Sequence, residues 1–189
     1  MATRDRLMKA TIEILIEKGY AGLTVADVAE RAGVSSGARV HHYRTKDDLV
    51  IAANAFAYNE AVSLGTVRSA SAGRSKNPLK DLVADLTSLY FGRFFRASLD
   101  VMAASRTDRV LSRRLYPIVA RYHASMRATW TKALREAGYS RPDAELAYDV
   151  ILGMVRGMGL TSTWRPDIAA HMKLIRQVEQ MLQSTISKV

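Results

Sequence analysis

Apolar residues return at every third or fourth position along most of this chain, and strict alternation over a strand's length is hard to find, so the backbone is confined to helices that pack on one another. Leu7, Ala10, Ile14 and Leu15 make one face of a first helix that stops near Gly19. Thr24 suits the cap of a second helix, Asp27 completes a capping box three residues on, and Val25, Val28, Ala29 and Ala32 form the inner stripe. Gly33 stands where that helix must end. Ser35 caps a short third helix through about His42, and Thr45 with Asp48 makes a second capping box, opening a fourth helix over 46–67 that carries Leu49, Ala53 and Phe56.

Residues 68–77, RSASAGRSKN, are small and polar without periodicity and are expected to form a loop. Pro78 restarts a helix with Leu79, Leu82, Val83, Leu86, Leu89 and Tyr90 at helical spacing. Pro117, Pro142 and Pro166 each suit the first turn of a further helix, where a missing N–H costs nothing, and Gly138 suits a helix end before Pro142. The expected fold is all-α with about nine helices. A three-helix N-terminal module over residues 1–50 is joined through the fourth helix to a larger helical domain over residues 51–189.

With 189 residues, 48% of them hydrophobic, the chain has ample material for packed cores, which excludes a disordered protein. Cysteine is absent, which excludes a disulfide-stapled scaffold and any Cys-ligated zinc or iron–sulfur site. The opening MATRDRLMKA alternates charges where a signal peptide needs an apolar stretch, and no apolar run approaches the ~20 residues of a membrane span, so the expected location is the cytoplasm. No Gly-rich phosphate loop, nucleophile elbow or paired-carboxylate arrangement is present, and the expectation is a protein that is not an enzyme and carries no cofactor or metal. His41-His42 with Asp47-Asp48 do not make a metal site, because adjacent helical residues point about 100° apart. His123 and His171 stand alone and read as solvated or hydrogen-bonded imidazoles.

Twenty-eight Lys and Arg against eighteen Asp and Glu give a net charge of +10, a surplus that favours polyanionic partners. Its location is uneven. Residues 1–50 hold eight basic and seven acidic side chains, whereas residues 93–141 hold eleven basic and three acidic ones. A claim on nucleic acid therefore has to rest on a motif.

That motif lies in residues 24–42: a capped helix, a Gly-containing turn of about three residues, and a second helix starting at a serine, the layout of a helix-turn-helix. Small residues at the front of the second helix, Ser36, Gly37 and Ala38, let its N-terminus enter the major groove, where backbone N–H groups and hydroxyls meet base edges and phosphates. Thr24 and Ser35 at helix starts and Lys46 at the next helix start are spaced to clamp the DNA backbone on either side.

The run TVADVAERAGVSSGARVHHYRTKDDLV, preceded by EKGYAGL at the extreme N-terminus, closely resembles the DNA-binding domain of the tetracycline-repressor (TetR) family over about residues 4–56. Gly19-Tyr20, Thr24, Ala29, Ala32-Gly33-Val34-Ser35, Tyr43, Lys46 and Leu49 carry the resemblance. It implies an all-helical, one-component transcriptional regulator, usually a repressor, that dimerises through its last two long helices and releases DNA when a small molecule enters its C-terminal domain. On that pattern Ser36, Gly37, Ala38, Val40 and His41 face bases, and Thr24, Ser35, His42 and Lys46 meet phosphates. Where the family usually has an apolar residue followed by Tyr, and later a Pro, this chain has Arg39-Val40 and Arg44. Arg39 occupies the fourth helical position after the Ser35 cap, the partner of Val34 in a hydrophobic staple. A buried unpaired guanidinium is too costly there, so Arg39 is expected to reach solvent on the DNA side.

Two further constellations lie beyond the motif. Tyr90, Phe91, Phe94, Phe95, Met102, Tyr122, Met126, Trp130, Met154 and Met158 are aromatic or flexible apolar side chains on several helices, suited to lining a ligand pocket or to filling a plain core. Of these, Tyr90, Phe94, Met102, Tyr122, Met126, Trp130, Met154 and Met158 are the candidate pocket. Gly153, Gly157 and Gly159 leave small residues along the eighth helix, and Ile168, Met172, Ile175, Val178, Leu182 and Ile186 stripe the ninth, features suited to close approach of two helices at a two-fold interface. The expected partners are thus a double-stranded DNA operator, a small-molecule inducer and a second copy of the chain. The competing function is a helical small-molecule carrier or degenerate enzyme without specific DNA binding.

Overall fold

The computed structural model describes residues 3–35 and 43–186. Among these are eight helices and no strand: α1 (Thr3–Gly22), α2 (Val25–Arg31), α3 (Lys46–Ala72), α4 (Pro78–Tyr90), α5 (Arg93–Ser105), α6 (Arg109–Glu136), α7 (Arg141–Thr161) and α8 (Ile168–Thr185). The third helix expected from the sequence falls on residues 36–42, outside the described residues. With that allowance the all-α fold of about nine helices is as expected. The chain forms two compact units, one of residues 1–60 with 93–121 and the other of residues 61–92 with 122–189. Helices α3 and α6 are continuous from one unit into the other.

The first unit is built on the inner face of α1, where Leu7, Met8, Ile14 and Leu15 meet Val28 of α2, Leu49 and Val50 of α3, Val101 of α5 and Leu115 of α6. Thr11 lies in the same apolar stripe and is buried without penalty, because its hydroxyl donates to the Leu7 carbonyl at 2.7 Å. Regular helix geometry in α1 breaks at Gly19, whose φ of 68° is open to glycine alone at little cost. A Cβ there would also press on the Asp100 carboxylate at 2.7 Å.

In the second unit, α4 packs on α7 and α8. Leu79, Leu82, Val83 and Leu86 of α4 face Tyr148, Ile151 and Val155 of α7 and Ile175 of α8 across a core completed by Tyr122, Met126 and Trp130 of α6. Asn77 ties α4 to α8 at one end. Its carboxamide oxygen accepts from the Lys80 N–H at 3.1 Å, capping α4, while its NH₂ donates to Glu179 at 2.9 Å.

Three expectations need correction. Residues 68–72 are helical, not loop, because Ser69 and Ser71 turn their hydroxyls back onto the carbonyls of Thr66 and Arg68 at 3.0 and 2.7 Å, and Ser69 and Ala72 are buried. Pro117 lies inside α6 and does not open a helix: Asp108 caps that helix through the N–H groups of Val110 and Leu111, and Pro117 stands on the exposed side, where water replaces the one lost amide. Pro166 precedes the Asp167 cap of α8 and lies outside its first turn.

Candidate nucleic-acid interface

The motif's first helix, α2, starts as the sequence requires. Thr24 is in extended conformation and its hydroxyl accepts from the Asp27 N–H at 3.1 Å. The reciprocal half of the expected capping box is missing: the Asp27 carboxylate takes Lys18 of α1 at 2.9 Å, and that ammonium, with Thr24, holds the carboxyl below its usual range. At the other end, the Gly33 N–H bonds the Glu30 carbonyl and the Val34 N–H bonds the Ala29 carbonyl, both at 3.0 Å, with Gly33 at φ 60°. This is a Schellman closure. It turns the chain sharply, seats Val34 on the first unit's core and delivers Ser35, exposed, to the start of the reading segment. Ser36, Gly37, Ala38, Arg39, Val40, His41 and His42 lie outside the described residues.

On the far side of that segment, Tyr43 is half-buried against the same core and Arg44 is exposed. The box at Thr45 and Asp48 is complete, with each side chain taking the other's N–H at 3.1 Å. It places Lys46 on the first turn of α3. The ammonium of Lys46 sits 4.3 Å above the centre of the Tyr20 ring and donates to the Ala21 carbonyl at 3.3 Å, so a flexible side chain is held in one place with two of its three N–H groups left over. Tyr20 is fixed in turn, its hydroxyl donating to Asp47 at 2.8 Å. Burial, that hydrogen bond and the neighbouring carboxylates of Asp47 and Asp108 push its pKa up to about 12, so the ring stays neutral and keeps its donor. Sequence reading singled out Lys46 but missed this support, although Gly19-Tyr20 and the acidic pair Asp47-Asp48 were its visible signal.

The eight candidate pocket residues are divided between the two units. Phe94 and Met102 belong to the first unit, Phe94 edge-on to Tyr58 at 5.6 Å and Met102 on the α1 core. Tyr90, Tyr122, Met126, Trp130, Met154 and Met158 belong to the second. At the centre of this second group is a residue that the sequence reading passed over, Asp85, only 5% exposed. It accepts from the Trp130 indole at 2.8 Å and from the Arg68 guanidinium at 2.7 Å, so the buried charge is paired. An acidic residue three positions after Leu82 and four before Leu89 lies inside the apolar stripe of α4, and that was the signal available. The Tyr148 hydroxyl, within electrostatic reach of Asp85, is buried with no hydrogen-bond partner among the described residues. His123 and His171 are likewise neither solvated nor hydrogen-bonded at Nδ1.

Of the nine candidate interface residues, Ile175, Leu182 and Ile186 are buried in their own subunit, where α8 packs on α4 and α7. Gly153 and Gly157 are exposed, and an added Cβ at either would meet nothing within 4 Å. Ile168 is exposed, and Met172 and Val178 are half-buried. Gly159 differs from the other two glycines: a Cβ there would run into the Tyr90 carbonyl, so it serves packing within the unit. The sequence missed the exposed apolar partners of Gly153 and Gly157. Leu146, Val150 and Leu160 share their face of α7 at gaps of 4, 3, 4 and 3, and Leu174 and Met181 stand out from α8, the latter 66% exposed.

Residues 7–53 match the family model described as bacterial regulatory proteins, tetR family. The chain is 32% identical over 167 residues to the HTH-type transcriptional regulator CymR of Pseudomonas putida, covering 88% of this chain and 82% of that one. Among solved structures, a transcriptional regulator from Rhodococcus sp. Rha1 is 25% identical with a TM-score of 0.74 over the whole of both chains. FadR from Bacillus subtilis, solved in complex with stearoyl-CoA, has the same fold at 19% identity, with a TM-score of 0.69 over 96% of this chain and 98% of that one. These relatives are regulators by name, neither enzymes nor carriers.

Proposed function

Because this chain belongs to the TetR family of bacterial transcriptional regulators, we propose that it acts as a cytoplasmic repressor whose two copies hold a two-fold symmetric operator and leave it when a small molecule binds. Residues 1–50 read DNA. Thr24, Ser35, His42 and Lys46 take phosphates, Ser36, Gly37, Ala38, Arg39, Val40 and His41 meet base edges, and Tyr43 is counted with them as a DNA-binding residue. Residues 51–189 supply effector binding and self-association.

One observation carries the two-fold arrangement: the apolar face of Leu146, Val150, Leu160, Leu174 and Met181 with Gly153 and Gly157 between them, left exposed by this chain's own packing. Exposed apolar side chains on two helices, with small residues among them on α7, suit a second copy of the chain. The effector is assigned to the second unit, where the buried Tyr148 hydroxyl, within electrostatic reach of Asp85, has no hydrogen-bond partner among the described residues and offers a polar anchor. Phe94 and Met102 are left out of that site. Selection of bound duplexes from random DNA is the test. Recovery of inverted half-sites whose centres lie about one helical turn, ~34 Å, or a multiple apart is the expected result, and recovery of asymmetric sequences alone would overturn the reading.

A further inference from the structure

The charge of the first unit is divided in an unexpected way. Its residues 1–60, which contain the helix-turn-helix, hold eight basic and eight acidic side chains and are neutral, whereas residues 93–121 hold seven basic against two acidic. All of the unit's surplus sits on α5, α6 and the turn between them.

Part of that surplus lies beside the proposed backbone clamp. Arg114 on the second turn of α6 donates to Asp48 on the first turn of α3 at 2.8 Å, which places the start of α6 against the helix start that carries Lys46. Asp108, the cap of α6, is near enough to Tyr20 to disfavour its ionised form, and Tyr20 is the ring under Lys46. Around these contacts stand Arg106, Arg109 and Arg113, all exposed and none with a carboxylate in ion-pair range among the described residues. Arg109 and Arg113 are one turn apart on one helix face, and the N-terminal end of α6 adds its own positive field. Three exposed guanidiniums, two on the start of α6 and one in the turn before it, next to the helix start that carries Lys46, are complementary to a polyanion and to little else.

We propose that the α5–α6 turn is a second DNA contact, in which Arg106, Arg109 and Arg113 take backbone phosphates flanking the half-site and extend the footprint beyond the helix-turn-helix. It rests on the reading of Lys46 as a phosphate contact. These contacts carry no base information. They add affinity to whatever sequence lies outside the operator, and their strength falls with salt because counterions released into a more concentrated solution gain less entropy.

The test uses the full chain and a duplex selected from random DNA by the wild type, prepared trimmed to the ends of its half-sites and extended by about one helical turn on each side. The wild type should bind the extended duplex more tightly and with a steeper dependence of log K on log salt, by about 0.9 for each phosphate gained. The Arg109→Gln/Arg113→Gln variant should bind both lengths alike, and Arg109→Lys/Arg113→Lys should keep much of the difference. A double-Gln variant that retains the length dependence would overturn the proposal, as would one that loses affinity equally on both lengths, the signature of long-range steering. Failure of the underlying reading looks different: Lys46→Ala would then leave the salt slope on the trimmed duplex unchanged.

Discussion

The hydroxyl of Tyr148 and the ring of His123 are single groups whose surroundings make opposite kinds of demand. Removing an unpaired buried hydroxyl relieves a desolvation cost, so Tyr148→Phe should melt at the same temperature or slightly higher. If that hydroxyl anchors the effector, the same variant should need more of any compound found to release the wild type from its operator. Full retention of the release response would remove Tyr148 from the site. His123 is half-buried with Nδ1 unpaired, and desolvation, reinforced by the Arg156 charge, lowers its pKa from 6.5. A lowered folded-state pKa means that the unfolded chain binds the proton first. Stability is therefore complete above about pH 6.5 and declines as pH falls through the folded value. His123→Phe should flatten the stability difference between pH 7.5 and pH 5 measured by urea titration; an unchanged difference would assign it to other groups. Glycines in α7 separate the same way. Gly159→Ala drives a methyl into the Tyr90 carbonyl and should cost about 1–3 kcal/mol, whereas Gly157→Ala meets nothing and should raise monomer stability by about 0.5–1 kcal/mol while weakening self-association. Thermal melts and sedimentation of the two variants check both halves.

Among the elements, the starts of α2 and α3 show how far a short motif predicts. Both carry Thr followed three residues later by Asp, and the sequence assigns both the same box. Only at Thr45 and Asp48 is it closed, because Asp27 finds Lys18 on α1 within reach and Asp48 can serve its own cap and Arg114 together. Asp48→Ala should therefore cost about 1–2 kcal/mol, a lost cap plus a lost partner for Arg114, and Asp27→Ala far less, as judged by chemical denaturation. Equal losses would show that the box geometry is irrelevant. Local rules worked where the deciding groups were neighbours in sequence: the Gly33 turn, the Pro78 start, the Gly138 end and the inner faces of α1 and α4 were all legible. They failed where the deciding partner was remote or self-supplied. Ser69 and Ser71 satisfy themselves within a helix that composition would end, and Pro117 is tolerated because its side of α6 meets water. The candidate site divides on the same line. Lys46 was legible as a helix-start cation, but its seat on Tyr20 joins residues 26 apart in sequence, and Asp85 is explained only by Arg68 and Trp130.

For the whole molecule, the sequence pattern on α8 marked an apolar stripe without saying which side of it faces a partner. Ile175 and Leu182 complete the subunit's own core, and the residue just before each of them, Leu174 and Met181, remains outside. A charge on that outer face should leave the subunit folded. Leu146→Glu with Met181→Glu is expected to sediment as a monomer at micromolar concentration with an unchanged helical spectrum, and to lose most of its operator affinity, since each half-site would then be held alone. A variant still dimeric would move the interface elsewhere.

The neutrality of the helix-turn-helix portion has a kinetic meaning for a protein that must find one address among millions of base pairs. A reading head without net charge is weakly retained by wrong DNA, because attraction to an arbitrary duplex scales with the phosphates it neutralises. On the proposal above, retention beyond the Lys46 clamp comes from arginines on the α5–α6 turn and the start of α6, which touch no base. Dwell time on random sequence and discrimination at the right one are then set by separate side chains. Search speed can be tuned by exchanging an arginine on α6 without altering which operator is recognised.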